Sequence, residues 1–132
     1  MPTREQQYAA QIYDQISKYP GGLAEDSEER KRYGSMAHKL PILVRQAGLV
    51  QALAFVQSRC KVPYNRLLAH LAETVGAANA DALLDHSRRA NLSEYILLTD
   101  QVMLALKWYK RFAQSVLKVD PTDDADDGGT DD

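Results

Sequence analysis

The segment that most constrains the fold is the run LPILVRQAGLVQALAFVQSR, which covers residues 40–59. Between Leu49 and Val56, every residue except Gln51 is apolar. A helix that is apolar all round must be enclosed by other helices, so we expect a buried central helix here. Gly48 lies inside the run, and a glycine costs about 1 kcal/mol in a helix relative to alanine. We therefore expect Gly48 to mark a bend, a helix end or a close contact.

The chain has 132 residues, which corresponds to one domain with a real hydrophobic core. Cys60 is the only cysteine, so no internal disulfide can form. The first fifteen residues lack the apolar core of a signal peptide, and no uncharged run is long enough to span a bilayer. These features favour a reducing cytoplasm and predict no membrane partner.

The charge is divided unevenly along the chain. Seven of the 18 acids follow Lys118, the last basic residue; they are Asp120, Asp123, Asp124, Asp126, Asp127, Asp131 and Asp132. Removing those 7 leaves 11 acids against 16 basic side chains in residues 1–118, a net charge of +5. We expect residues 1–118 to form a helical domain and residues 119–132 to be a disordered Asp-rich tail. The tail is either a solubilising segment or an internal competitor for the basic face.

Apolar residues recur at helical spacing along the first third of the chain. Thr3 is expected to cap a first helix, which Pro20 and two glycines stop. A second helix should begin at Asp26 or Ser27, because both residue types accept hydrogen bonds from the first turn. Its apolar stripe continues through Pro41, which predicts a kinked helix or two nearly collinear helices.

The remaining helices have their own start and stop signals. Pro63 suits the first turn of a helix that Gly76 would terminate, and Asp81 is expected to cap a short helix. Ser93 is expected to cap a last helix reaching about Lys118, with Leu92 and Leu97 at the spacing of a hydrophobic staple. No strand pattern is present. The sequence thus predicts an all-α, single-domain compact bundle of about five to six helices with a long C-terminal helix.

Candidate catalytic residues are few. There is no glycine-rich phosphate loop followed by lysine and serine. Cys60 and His70 form a conceivable nucleophile and base, and His70 and Glu73 lie at i,i+3, a spacing that suits a metal. No second copy of that motif and no orienting third group are evident. We expect no catalytic residue, metal or cofactor; the alternative is a small helical enzyme or a metal- or ligand-binding bundle built on these three residues.

Basic residues are the other candidates for function. Lysine and arginine can neutralise phosphates, and nearby tyrosine or tryptophan can stack bases. Taken alone, this composition describes a helical domain of unknown role. A free-standing DNA-binding protein is a further alternative, which direct binding of duplex DNA by the lone chain would favour.

Two long segments together resemble a known family. Tyr33-Gly34 is followed by HKLPILVRQAGLVQALAFVQSR, then Tyr64 and Leu68 to Leu71, and the chain body closes with YILLTDQVMLALKWYKRFAQSVL. In order and spacing over roughly residues 3–118, this is similar to the small subunit of the type III-B CRISPR effector, the Cmr RNA-silencing complex. The Asp-rich tail is not part of that pattern.

The resemblance implies an all-helical subunit without catalytic activity, acting in antiviral defence. Copies of such a subunit stack head to tail into an inner filament beside a larger filament of backbone subunits that hold the guide RNA. Cleavage of the target belongs to the backbone subunits, and nucleotide cyclisation and DNA cutting belong to the large subunit. Glu25, Asp26, Glu28 and Glu29 are candidates for an acidic stacking surface.

The resemblance also implies contact with guide and target RNA. Because base pairing reads the sequence in guided effectors, the protein needs to hold only phosphates and shape. From local charge, we predict a phosphate-facing set that consists of Arg30, Lys31, Arg45, Arg59, Lys61, Lys107, Lys110 and Arg111. Arg45 and Arg59 are the leading candidates, since both fall inside the segment that resembles the family.

Overall fold

The computed structural model describes residues 2–121 and shows an all-α fold over that range. No strand is present among these residues, which confirms the predicted fold class. The six helices are α1 (Arg4–Lys18), α2 (Glu28–Ala47), α3 (Leu49–Ser58), α4 (Val62–Val75), α5 (Ala80–Arg89) and α6 (Leu92–Ser115).

Helix α1 is capped by Thr3, as predicted, and Thr3 forms a capping box with Gln6. The Gln6 amide donates to Thr3 Oγ1 at 3.1 Å, and the Thr3 amide donates to Gln6 Oε1 at 2.7 Å. These reciprocal bonds satisfy two of the donors that a helix start leaves unpaired. The helix packs against α4 and α6 through one apolar face, which consists of Tyr8, Ile12 and Ile16.

Helix α2 runs unbroken through Pro41 to Ala47, so the predicted alternative of two helices meeting there is wrong. The break comes instead at Gly48, whose φ of +89° lies in the region that favours glycine. The expectation that Gly48 marks a helix end is thus confirmed. Ser27 supplies the N-cap, accepting a hydrogen bond from the Arg30 amide.

The bundle is centred on α2 and α4 rather than on α3. Helix α4 packs against the other five helices, and α2 packs against α3, α4 and α6. Helix α3 buries Leu49, Leu53 and Val56 but leaves Phe55 37% exposed. The expectation that residues 49–56 are enclosed on every side is therefore wrong. The exposed side of α3 includes the small Ala54 and a polar glutamine, so the apolar area left in water there is modest.

The caps of α5 and α6 are asparagines that the sequence interpretation passed over. Asn79, not Asp81, caps α5, because its Oδ1 accepts the Ala82 amide at 2.8 Å. Asn91, not Ser93, caps α6 in a capping box with Glu94.

The expected hydrophobic staple at the start of α6 does not form. Leu92 and Leu97 are 74% and 57% exposed, and Ile96 beside them is 53% exposed. The first six residues of α6 therefore present an apolar surface to solvent instead of packing on the preceding turn.

Helices α2 and α6 lie antiparallel. At one end, Tyr95 near the start of α6 accepts a hydrogen bond from the Val50 amide, just past the end of α2. At the other end, Val119 beyond α6 contacts Gly34 in the first half of α2. Leu98, Val102, Leu106, Tyr109 and Ala113 recur at intervals of three and four along α6 and form its buried seam, and Val116 just beyond the helix is half-buried.

Residues 116–119 fold back over α2 after α6 ends. Val119 is only 2% exposed, and His38 Nε2 lies 2.7 Å from its carbonyl oxygen. A Cβ added to Gly34 would meet Val119 Cβ at 2.7 Å, so this close approach requires glycine. The packed body therefore includes Val119, the first residue of the predicted tail. Residues 122–132, where disorder is expected, lie outside the described residues.

Among residues 2–121, no helix combines the length and the apolar content needed to cross a bilayer.

Candidate nucleic-acid interface

A basic groove lies between α2 and α6. Its volume is about 710 Å³. Its lining consists of Pro41 and Arg45 from α2 and of Met103, Lys107, Lys110, Arg111, Gln114 and Ser115 from α6. Four of these eight side chains are cationic and none is acidic. We call this surface the α2–α6 groove.

Helical periodicity explains why these cations converge. Lys107, Lys110, Arg111 and Gln114 recur at intervals of three and four along α6, away from the buried seam that includes Tyr109. On α2, Pro41 and Arg45 are one turn apart. The antiparallel packing of the two helices then places both rows along one groove. Half of the predicted phosphate-facing set meets here.

The groove is only partly neutralised by the protein itself. Lys107 Nζ lies 2.6 Å from Glu5 Oε2, which also accepts the Trp108 indole N–H at 3.0 Å. The hydrogen bond from Lys107, followed by that from Trp108, lowers the pKa of the Glu5 carboxyl. Within residues 2–121, no ion pair involves Arg45, Lys110 or Arg111. Three cations therefore remain available to an anionic partner.

An aromatic surface borders the cations on α6. The Arg111 guanidinium lies 5.7 Å from the Trp108 ring centroid, and Lys107 Nζ lies 5.8 Å from it. Trp108 in turn packs against Phe112 with ring centroids 5.5 Å apart. The contact with Trp108 holds the Arg111 side chain in place but does not neutralise its charge. The N–H donors of the Arg111 guanidinium therefore stay free for phosphate oxygens.

Arg30 must be removed from the predicted set. Its side chain is 7% exposed, and its guanidinium donates to four backbone carbonyls, of Gly21, Leu23, Val116 and Leu117, at 2.8–3.3 Å. Arg30 therefore ties the start of α2 to the chain that leaves α6. In the sequence, Arg30 is followed by two more basic residues, Lys31 and Arg32, and nothing distinguishes it from them. The burial of Arg30 depends on tertiary packing, which local charge does not indicate.

The other predicted cations lie away from the groove. Lys31 is exposed on the first turn of α2, while Arg59 and Lys61 are half-buried at the junction of α3 and α4. The Arg59 guanidinium lies 5.5 Å from the Phe55 ring centroid. Arg59 does not line the groove that contains Arg45, so the structure does not join the two leading candidates into that one site.

Cys60, His70 and Glu73 do not converge on one cavity. Cys60 lies just before α4 in a separate depression of about 330 Å³, which contains neither His70 nor Glu73. His70 Nδ1 is 2.7 Å from Tyr33 Oη. Burial, followed by the charge of Arg66, lowers the pKa of His70 to about 4. The geometry thus gives no nucleophile–base pair, and the described residues contain no group of three potential metal ligands.

A buried polar network that the sequence did not reveal fastens α1 to α4 and α6. Gln15 Nε2 donates to the His70 carbonyl at 3.1 Å and to Thr74 Oγ1 at 3.2 Å. Gln15 Oε1 accepts the Tyr109 hydroxyl at 2.6 Å. Burial raises the pKa of Tyr109 above its ordinary value, so its hydroxyl stays protonated as the donor. The network fixes α6, and with it the basic face of the groove.

The family described as CRISPR-associated protein (Cas_Cmr5) matches residues 4–116. The chain belongs to the Cmr5 family. It is 42% identical over 118 residues to the CRISPR system Cmr subunit Cmr5 of Thermus thermophilus, a match that covers 89% of this chain and 99% of the relative. The crystal structure of a CRISPR-associated Cmr5 family protein from Thermus thermophilus aligns with a TM-score of 0.79 at 43% identity, covering 88% of this chain and 98% of that one.

The resemblance drawn from the sequence is thus confirmed at the level of the family. The match to the Cmr5 family ends at residue 116, within one residue of the end of α6. The basic groove lies inside the matched region, whereas the Asp-rich residues 120–132 lie beyond it.

Proposed function

We propose that this chain is the non-catalytic small subunit of a type III-B Cmr ribonucleoprotein in the cytoplasm. There it contributes the α2–α6 groove to the surface that holds guide and target RNA in antiviral defence. The observation that carries the proposal is the convergence of four cations, of which only Lys107 pairs with an acid within residues 2–121, in one groove of a Cmr5 family member. Backbone and large subunits of the complex are its expected partners.

The groove suits phosphates better than base edges. Its donors are three long cationic side chains without acidic partners in residues 2–121 and one, Lys107, shared with Glu5. Such side chains neutralise phosphate charge but do not read sequence on their own. A guided complex reads its target through base pairing, so this chemistry is sufficient. No reaction is assigned to the groove, because its lining contains no histidine, carboxylate or thiol.

The test is the salt dependence of target binding by the assembled complex. We expect Arg45→Gln with Lys110→Gln to weaken binding of single-stranded target RNA and to lower the slope of log K against log salt by about 1.4, or about 0.7 per lost phosphate contact. The matched control is Lys18→Gln with Lys31→Gln, which removes the same charge from exposed positions outside the groove. Equal slopes for both double variants would refute the assignment.

Stacking of copies is the second part of the proposal. Head-to-tail contact between copies needs two different surfaces. The antiparallel pair of α2 and α6 is about 30 Å long, and the start of each helix contributes one surface at opposite ends of the pair. The start of α2 carries the acidic residues Glu25, Asp26, Glu28 and Glu29. The opposite end presents the exposed apolar side chains Leu92, Ile96 and Leu97. Arg88 and Arg89 beside them are also exposed and share one acidic partner, Asp85, which leaves a net charge of +1. This exposed apolar surface, with its remaining positive charge, favours contact with the acidic end of another copy.

Counting copies tests this part separately. We expect Leu92→Glu with Ile96→Glu to reduce the number of copies per complex, as measured by native mass spectrometry. Val62→Glu is the control, because Val62 is also an exposed apolar side chain, 60% exposed, and lies at the start of α4 rather than on α2 or α6. An unchanged copy number in the double variant would exclude this surface from stacking.

A further inference from the structure

We propose that Tyr13 stacks an unpaired base of the RNA whose phosphates lie in the α2–α6 groove, an inference that rests on the proposed function because it takes RNA as the occupant of the groove. The stacked base adds a contact that cations alone cannot supply.

Three aromatic rings follow one another from α6 to α1 beside the groove. Trp108 and Phe112 lie one turn apart on α6, with ring centroids 5.5 Å apart. Tyr13 on α1 meets Phe112 with centroids also 5.5 Å apart and an interplanar angle of 75°. Tyr13 is 50% exposed, whereas Trp108 and Phe112 are half-buried. We call these three rings the aromatic row, and Tyr13 is the member that solvent reaches most.

Helix α1 itself leaves the Tyr13 ring uncovered. Side chains three and four residues apart are the ones that touch on a helix. Three of the four such neighbours of Tyr13 are small, namely Ala9, Ala10 and Ser17. The fourth, Ile16, is fully buried in the core. A flat ligand can therefore reach the ring without displacing a neighbouring side chain of α1.

Arg111 connects the aromatic row to the groove. Its side chain lines the groove, and its guanidinium lies 5.7 Å from the Trp108 ring centroid. Phe112, the next residue along α6, is the one that contacts Tyr13. A phosphate bound by Arg111 therefore lies at the margin of the aromatic row, on the side from which a base can meet Tyr13.

This combination is typical of sites for single-stranded nucleic acid. Such sites pair cations that follow the backbone with aromatic side chains on which bases stack. Every base has a π-face, so stacking tolerates any sequence and suits a groove whose donors bind phosphates. The bases of a duplex stack on one another instead, so Tyr13 should favour unpaired RNA. Glu5 beside Trp108 is paired with Lys107 at 2.6 Å, which limits its repulsion of phosphate.

The test compares two strands that carry the same phosphates. Binding of an oligouridine and of an abasic ribose-phosphate strand of equal length to the full chain is followed by NMR titration at low salt. We expect the wild type to prefer oligouridine at least about fivefold, which corresponds to the lower end for one base on one aromatic side chain. Tyr13→Leu should remove this preference and leave the affinity for the abasic strand unchanged, whereas Tyr13→Phe should keep both.

Phe55→Leu is the matched control. Phe55 is also an exposed ring beside a guanidinium, 37% exposed with Arg59 at 5.5 Å, but it lies on α3 and does not line the groove. This variant should keep the preference for oligouridine.

Four results would overturn the proposal. The preference could survive in Tyr13→Leu, or it could fall equally in Phe55→Leu, which would mean unspecific stacking. A parallel loss of abasic-strand binding in Tyr13→Leu would mean that Tyr13 only packs α1 against α6. Failure of the wild-type chain to bind oligouridine at millimolar concentration would exclude the contact altogether.

The two proposals fail in different ways. If Tyr13→Leu removes the base preference but Arg45→Gln with Lys110→Gln leaves the salt slope of the complex unchanged, RNA bases meet Tyr13 and the groove assignment is wrong. If the slope changes but the base preference persists in Tyr13→Leu, the groove holds RNA phosphates and the stacking proposal is wrong.

Discussion

Replacing Arg30 with methionine tests whether this residue is structural. Methionine keeps most of the length and apolar contact of the side chain but removes the guanidinium. The buried guanidinium donates to the carbonyls of Leu23 at 2.8 Å, Gly21 at 3.2 Å, Val116 at 3.2 Å and Leu117 at 3.3 Å. The change therefore leaves the loop before α2 and the chain after α6 without their common partner.

The expected cost follows from these four bonds. A hydrogen bond to a charged group contributes about 1.5 kcal/mol at the lower end of its range, so four such bonds sum to about 6 kcal/mol at that lower end. Removing the cation also removes the cost of keeping it out of water, which offsets part of that sum. We expect the free energy of unfolding to fall by about 3 kcal/mol.

Urea denaturation followed by circular dichroism measures this loss. Lys31→Met is the matched control, since Lys31 is exposed on the adjacent position and should change the unfolding free energy by less than about 0.5 kcal/mol. A loss below about 1 kcal/mol for Arg30→Met would refute the structural role. A weakened target interaction at unchanged stability would return Arg30 to the phosphate-facing set.

Three further predictions concern the body. Gly34→Ala places a Cβ 2.7–3.0 Å from the Val119 side chain, so the segment that holds Val119 must shift although alanine favours helices. The Val119 amide donates to the Ala113 carbonyl, and its hydrogen exchange should accelerate at least about tenfold. The pKa of His70 is about 4 in the folded chain and about 6.5 in the unfolded chain. Between pH 6.5 and pH 4 the unfolded chain therefore binds one more proton than the folded chain, and the free energy of unfolding falls as the pH drops through this range. Because His70 is only half-buried, solvent screening reduces this loss of unfolding free energy to about 1–2 kcal/mol. His70→Gln should therefore reduce the difference between the urea midpoints measured at pH 7 and at pH 4.5. Glu5→Gln releases Lys107, so target RNA binding by the complex should tighten by less than about threefold, whereas weaker binding would contradict the pairing.

Local sequence signals predicted the helix ends at which one residue decides the backbone conformation. Each of these residues acts within one helical turn and caps a helix end as its chemistry indicates; they are Thr3, Ser27, Gly48 and Gly76. Pro41 was misinterpreted as a possible break because a lost hydrogen bond is a local cost, whereas its burial within α2 is a tertiary gain.

Neighbouring candidates of similar capping strength could not be ranked from sequence. Asn91 and Ser93 both accept hydrogen bonds from a first turn. The capping box of Asn91 with Glu94 adds a second bond, and the exposure of Leu92 shows that no hydrophobic staple opposes it. The overlooked signal was the spacing of three between Asn91 and Glu94.

The candidate site depended on packing, and there the sequence was less informative. Eight cations were predicted from local charge, and the structure gathers Arg45, Lys107, Lys110 and Arg111 while burying Arg30. Nothing in the spacing of α2 residues relative to α6 residues indicates their antiparallel contact. The cations of α6 were easier to group, because Lys107, Lys110 and Arg111 recur at helical spacing within one helix.

The antiparallel pairing of α2 and α6 underlies both parts of the proposed function. The same pairing places Arg45 of α2 beside the basic row of α6, puts the acidic start of α2 at the opposite end from the apolar start of α6, and brings the chain after α6 back to Gly34. A change that shifts this pairing should therefore disturb all three properties together. Gln15→Leu is suitable, because it breaks the bonds from α1 to α4 and α6 without touching the groove. If groove charge alone governs RNA binding, this variant will keep the wild-type slope of log K against log salt. If the register of α2 against α6 matters, the slope should fall although every cation of the groove remains.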